Sequence, residues 1–281
     1  MGTSGSYSGS GGRWGSQVRR ELKVWLDNLP SAEPSPGEPD VNDGDPLIPP
    51  ENAFVHLAPD IYRNVIPLFK SRSAPGSGGG GGGGSGGGGS TERPPGEQPR
   101  GRHSGGPQRS LARSAGVAGR AAAAALAFQT GDAAELASLG LDFDELTRLS
   151  NPLEVTRRIV TAACESVSES TIEDQEQRYV AAQIAEWIFD QRDDPPNPNE
   201  IVRKSMALIM FETLSSETGE LMREGERPAF VSELGERELR DAADIISQRA
   251  VFSTSGVSSA ELSNAIEAGI ETLRTILRGR R

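Results

Sequence analysis

The 281-residue chain is only 35% hydrophobic and carries 34 glycines, so its ordered part is expected to be smaller than its length. Charge is segregated: residues 1–110 balance 11 basic against 11 acidic side chains, whereas residues 111–281 hold 18 and 29, which puts the whole net charge of −11 in the C-terminal part. Such a surface repels phosphate and anionic lipid, which disfavours nucleic-acid and membrane binding driven by counterion release.

Residues 1–15 open with Met1-Gly2-Thr3-Ser4-Gly5-Ser6 and continue in Gly and Ser. These residues offer almost no apolar area to offset roughly 1–2 kcal/mol of backbone entropy per ordered residue, so a flexible tail is expected. A frayed end and a cloning remnant are its two plain readings. A chain end that reaches into a partner's active site is the functional one.

Residues 16–73 begin with a short amphipathic stretch. Val18, Leu22, Trp25 and Leu29 are spaced by 4, 3 and 4, which stacks them on one helix face that Pro30 ends. It is too short to stand alone in water, so it docks on its own domain or on a partner. An acidic, Pro-rich linker follows, with brief apolar patches at Leu47-Ile48, Ala53–Leu57 and Ile61–Lys70, none long enough to predict a core element. Residues 74–109 form a Gly/Ser-rich linker. Its glycine run, Gly78–Gly84 and Gly86–Gly89, has no Lys-Ser or Lys-Thr after it, so it is not a phosphate-binding loop.

Residues 110–281 read as an acidic all-helical domain. Alanine density predicts a helix from Ala115 to Phe128, with Ser114 as its N-cap and Gly131 beyond its end. Two short helices follow, capped by Asp132 and by Asp142 or Phe143. Asn151-Pro152-Leu153-Glu154 starts a helix burying Val155, Ile159 and Ala163, with Cys164 close by. Ser170-Thr171-Ile172-Glu173 is a capping box before a helix to about Arg192, and Asn197-Pro198-Asn199-Glu200 repeats the cap for one to about Leu214. Gly219 and Gly225 predict irregularities. Further helices carry Leu234, Leu239, Ala242, Ile245 and Ile246, and then, after the box Ser258-Ser259-Ala260-Glu261, Leu262, Ile266, Ile270, Leu273 and Leu277. Strand signals are nearly absent. The expected fold is therefore all-α, a C-terminal helical bundle preceded by a long, largely disordered N-terminal arm.

Catalytic constellations are missing. His56 and His103 both precede the bundle, so no His-based acid/base pair or zinc site is expected inside it, and no metal or cofactor is assigned. Cys164, the single cysteine, reads as a small core residue; it rules out an internal disulfide and fits a reducing, cytoplasmic setting. No stretch reaches the roughly 18 apolar residues of a membrane span. Asp142, Asp144 and Glu145, or Glu173, Asp174 and Glu176, could in principle hold a metal ion, but as acid-rich first turns they already complement the positive ends of helices, and that structural reading is preferred. Trp187 and Phe211 are expected in the core.

The Met-Gly-Thr-Ser start, the variable linker, the Gly/Ala/Arg-rich helix within Gly105–Ala127 and the acidic helical domain together resemble the QatB family, the small subunits of bacterial Qat anti-phage operons. Leu139-Gly140-Leu141, Asn151-Pro152-Leu153-Glu154 and Thr171-Ile172-Glu173 followed by Ala181-Ala182 are similar to its inner landmarks; the likeness is loose over residues 31–109. The resemblance implies a non-catalytic subunit whose partners are an ATPase, a QueC-like enzyme and a TatD-like nuclease. It also implies that Met1 is removed and that Gly2 presents its α-amine for conjugation to a 7-deazaguanine nucleobase, with Thr3, Ser4, Gly5 and Ser6 as the recognised approach strand. An α-amine, with a pKa of about 7.7–8.0, is partly neutral and nucleophilic at cytosolic pH, unlike a lysine near 10.4. A helical adaptor for an ATPase or nuclease, with no tail modification, is the alternative. A third reading is acylation at Gly2, which sits in a loose N-myristoylation pattern.

Overall fold

A computed structural model of the chain describes residues 13–27, 58–70, 109–164, 172–223, 229–254 and 256–278. Among them the protein is all-α. The helices are α1 (Arg13–Asp27), α2 (Ala58–Val65), which runs into a 3-10 turn at Ile66–Leu68, α3 (Leu111–Thr130), α4 (Ala133–Ser138), α5 (Phe143–Thr147), α6 (Pro152–Cys164), α7 (Ile172–Asp190), α8 (Pro198–Arg223), α9 (Ala229–Ser247) and α10 (Ser259–Arg278). Extended pairing among the described residues is limited to a two-residue parallel ladder, β1 (Phe69–Lys70) beside β2 (Arg109–Ser110).

The alanine-rich helix α3 is the centre of the arrangement: α10, α7, α6, α8 and α4 all lie against it. Ala118, Ala121, Ala122 and Ala125 are fully buried on it. Short side chains let neighbours approach on several sides while keeping the best intrinsic helix propensity. The closest approach is at Gly119, where an added Cβ would sit 2.7 Å from the Ser263 backbone nitrogen and 2.9 Å from the Ser259 carbonyl oxygen of α10. The glycine that weakens α3 locally is thus a packing requirement. Ser110, not Ser114, is the N-cap of α3, its Oγ accepting from the Arg113 amide at 3.4 Å; Ser114 is buried one turn inside the helix. The helix closes at Gly131, in the left-handed region at φ +75°, with the Asp132 amide donating back to the Ala127 carbonyl at 2.7 Å.

The remaining caps follow the sequence closely. Asp132 and Asp142 accept from the first-turn amides of α4 and α5. Asn197 accepts from Asn199 and Glu200 while Glu200 accepts from the Asn197 amide at 2.9 Å, a reciprocal box at the start of α8. Residues 170 and 171, the first half of the box expected before α7, lie outside the described residues. At α10 the Ser258 and Glu261 pair is joined by Glu135 of α4, which accepts from the Ser259 amide at 3.1 Å. Val155, Ile159, Ala163, Val180, Ile184 and Ile188 are buried as their spacing predicts, as are Leu262, Ile266, Ile270, Leu273 and Leu277.

Gly219 does not interrupt the chain. It lies inside α8, which continues to Arg223, with nothing near the position of its missing Cβ. Buried Leu214, Glu217 and Thr218 outweigh a glycine cost of about 1 kcal/mol. Nor is the helical body confined to the residues after Ser110: α1 and α2 contribute Val18, Leu22, Trp25, Leu26, Ile61, Tyr62, Val65, Ile66 and Phe69 to the same continuous core as α3, α8 and α10. No helix among the described residues is long and apolar enough to cross a membrane.

Candidate functional site: the N-terminal segment and its anchor

Gly2, Thr3, Ser4, Gly5 and Ser6 precede the first described residue, and Leu29 follows the last described residue of α1, so these positions lie outside the described residues. The rest of the predicted docking face is described. Val18 and Leu22 are fully buried and Trp25 nearly so, with Leu26 beside them. Leu26, absent from the predicted face, falls four residues after Leu22 and eight after Val18, a spacing that places it on that same face. The face is turned onto α8 and α2 of its own chain, so docking is internal.

Polar contacts set the register of this packing. Glu21 accepts from Gln17 one turn before it, and from the buried Asn64 of α2 at 2.6 Å. Arg19 lies 3.7 Å from the carboxylate of Glu217, whose side chain is fully buried on α8. Burial of an unpaired carboxylate would be expensive, so the partner supplied by α1 also ties that helix down.

The second segment, read from sequence as an apolar patch too short for the core, is bolted at three points. Tyr62 is fully buried and its hydroxyl donates to the Leu239 carbonyl at 2.7 Å. Burial first, and the Asp244 carboxylate second, push its phenol above the ordinary range, with Arg240 offsetting in part, so it stays a neutral donor. Arg274 of α10 donates to the Phe69 carbonyl at 2.7 Å and to the Glu271 carboxylate at 2.8 and 2.9 Å. The β1–β2 ladder then joins Phe69–Lys70 to the residues that cap α3, and the Ser110 amide donates to Glu173 of α7 at 3.0 Å. Eight helical residues cannot form a stable helix alone; these contacts make α2 persist.

Five of the six carboxylates in the two acid-rich first turns are used structurally. Asp142 caps α5, Glu145 pairs with Arg158 at 3.0 Å, Glu173 accepts from Ser110 and Gln177, Asp174 lies 3.7 Å from Arg113, and Glu176 accepts from Ser216. Among the described residues no three His, Cys, Asp or Glu side chains gather as a metal site would require. Cys164 is buried with Val117, Ala121 and Ala181, and burial pushes its thiol upward against the opposing charges of Arg178 and Arg120. Phe211 is buried, while Trp187 is half-buried against the core.

What the fold defines is a class: an all-α protein whose first described helix is clamped onto the body about a dozen residues after Met1. Compared with known proteins, the chain matches no family model, no curated protein and no solved structure.

Proposed function

We propose that the protein is a non-catalytic subunit of an anti-phage defence complex and that its N-terminal Gly2, exposed by removal of Met1, is conjugated to a 7-deazaguanine nucleobase by a QueC-like partner. What supports this reading is the anchorage of α1, together with an order of motifs that resembles that of QatB-like chains. Gly2 lies eleven residue steps before Arg13, so a fully extended tail reaches about 36–40 Å from the start of a packed helix. That length suits an end that enters a partner's site while the body stays docked elsewhere. The uncharged Gly/Ser composition minimises steric conflict on the way in.

The proposed step joins the neutral Gly2 nitrogen to an ATP-activated acyl carbon of the deazaguanine. A C–N bond forms, the activating group departs with the bonding electrons, and the amine loses one proton. Thr3, Ser4, Gly5 and Ser6 are the strand the partner reads. An ATPase and a TatD-like nuclease complete the complex, in the cytoplasm.

The second reading, a helical adaptor with an unmodified tail, is favoured by one surface feature. Leu153 is 69% exposed and Tyr179 63% exposed on the two sides of a groove between α6 and α7, where a partner could cover both. Intact mass separates the readings. Protein co-expressed with its operon neighbours should gain a deazaguanine-sized mass that is missing when it is expressed alone. No added mass favours the adaptor, and a fatty-acyl mass favours acylation. Gly2→Pro should abolish both the adduct and defence; full defence by that variant would overturn the proposal.

A further inference from the structure

At the far end of α3 a cleft of about 370 Å³ opens between the last turns of α3 and α7 and the residues that lead into α6. Its walls are apolar and partly aromatic: Phe128, Phe189, Leu149 and Val155. Phe128 and Phe189 meet edge to face, centroids 5.9 Å apart at 74°, and Phe128 also packs on Phe143 at 5.9 Å. Both rings of the cleft are only half-buried although they belong to the core's edge. The core therefore does not use all of their surface.

The cleft is preformed by hydrogen bonds at the end of α7. Gln129 donates through Nε2 to the Gln191 carbonyl at 2.9 Å, and Arg192 donates through Nε to the Phe189 carbonyl at 3.2 Å. The second bond uses only the ε nitrogen of Arg192. Its two terminal nitrogens make no hydrogen bond or ion pair with any described residue, and the side chain is exposed at the rim. Asp190, Asp193 and Asp194 neighbour it in sequence, yet no ion pair joins any of them to it. A guanidinium fixed at its ε nitrogen and open at the other two presents the fork that matches a carboxylate or phosphate.

We infer that this cleft binds a small planar aromatic anion, with the ring seated against Phe128 and Phe189 and the anionic group on the terminal nitrogens of Arg192. Its volume is at the lower end for ligand pockets and suits one or two fused rings. Edge-to-face and offset contacts with the two phenylalanines favour a flat ring over a branched aliphatic group of equal volume. Arg192, the one charged residue of the lining, is what favours an anion at this cleft, against the general repulsion of a chain of net charge −11. Gly2 is not among the residues that line the cleft, and the inference stands or falls without the conjugation reading.

Two probes distinguish the sources of such an anion: 1-naphthaleneacetate for an aromatic carboxylate and adenosine 5′-monophosphate for a nucleotide. Calorimetric titration of the full chain should detect saturable binding of at least one of them. Arg192→Gln, at an exposed position, should fold normally and weaken that binding about tenfold or more, the scale of a lost charge-assisted hydrogen bond, without changing the response to neutral 1-naphthaleneethanol. Leu149→Trp should fill the cleft and abolish binding of every probe. Binding of the carboxylate alone or the nucleotide alone, with loss in Arg192→Gln, assigns the source. No binding of either probe to the wild type, or equal binding to wild type and Arg192→Gln, overturns the inference.

Discussion

Helices α3 and α1 are both held in the core, but by opposite means. α3 is surrounded, and it meets its neighbours through alanines and Gly119, so its energetics are those of close backbone approach. α1 is peripheral, and it is held by a few large side chains, Leu22 and Trp25 foremost, together with polar bolts at Arg19 and Glu21. The difference teaches where the molecule tolerates change. A central helix made of small residues fails when anything is added, whereas an anchored helix fails when something is removed.

Adding bulk to α3 should have the largest effect. Gly119→Val places a branched side chain on the α10 backbone and should cost about 3 kcal/mol or more, read as loss of the cooperative unfolding transition or a large fall in midpoint denaturant. Gly116→Ala is the internal control. Its Cβ would meet only Arg120 Nη1 at 3.7 Å, an ordinary contact, so this variant should gain about 0.5–1 kcal/mol. A similar loss at both glycines would remove the distinction between the two faces of α3.

Removing bulk from α1 comes next. Leu22→Ala should cost about 2–5 kcal/mol in chemical denaturation, because a fully buried leucine leaves a cavity. Its loss should also raise amide exchange in α1 ahead of α3 if the clamp opens as a unit. Tyr62→Phe deletes the bond to Leu239, whose carbonyl keeps its place inside α9, and should cost about 1 kcal/mol by the same measurement.

The smallest effect is a pH dependence on the far side of α8. Burial raises the Glu212 carboxyl, against the lowering effects of the Gln183 hydrogen bond and the Arg240 charge. A raised folded-state pKa means that ionisation opposes folding above the ordinary carboxylate range and contributes nothing below it. Glu212→Gln should therefore gain stability relative to wild type as pH rises from about 4 to 7, and the two proteins should converge at the acid end. A constant difference across that range would show that the carboxylate is solvated.

Much of the helical body was legible because its signals are local. Asn151, Asn197, Ser258 and Glu261 announce helix starts within four residues, and the spacing of Leu262 through Leu277 gives the buried face of α10 without reference to any partner. Tertiary decisions were not legible. Ile61, Tyr62 and Val65 span too little sequence to show a period, and their helix exists because Leu239, Arg274 and Asn64 find partners 43 to 208 residues away. Glu135 capping α10 across 124 residues has no local signature. For the candidate site, the amphipathic face of α1 was readable, but not whether its partner was internal. The aromatic cleft left no sequence signal because Phe128, Leu149 and Phe189 come from three separate stretches of the chain that no local spacing links.

The measurement that bears most directly on the proposed function is tandem mass spectrometry of the N-terminal peptide from protein co-expressed with the QueC-like enzyme that the proposal requires. The added mass should be carried by every fragment ion that contains Gly2 and by none that begins at Thr3 or later. An unmodified Gly2, or an adduct on a lysine such as Lys23 or Lys70, would contradict it.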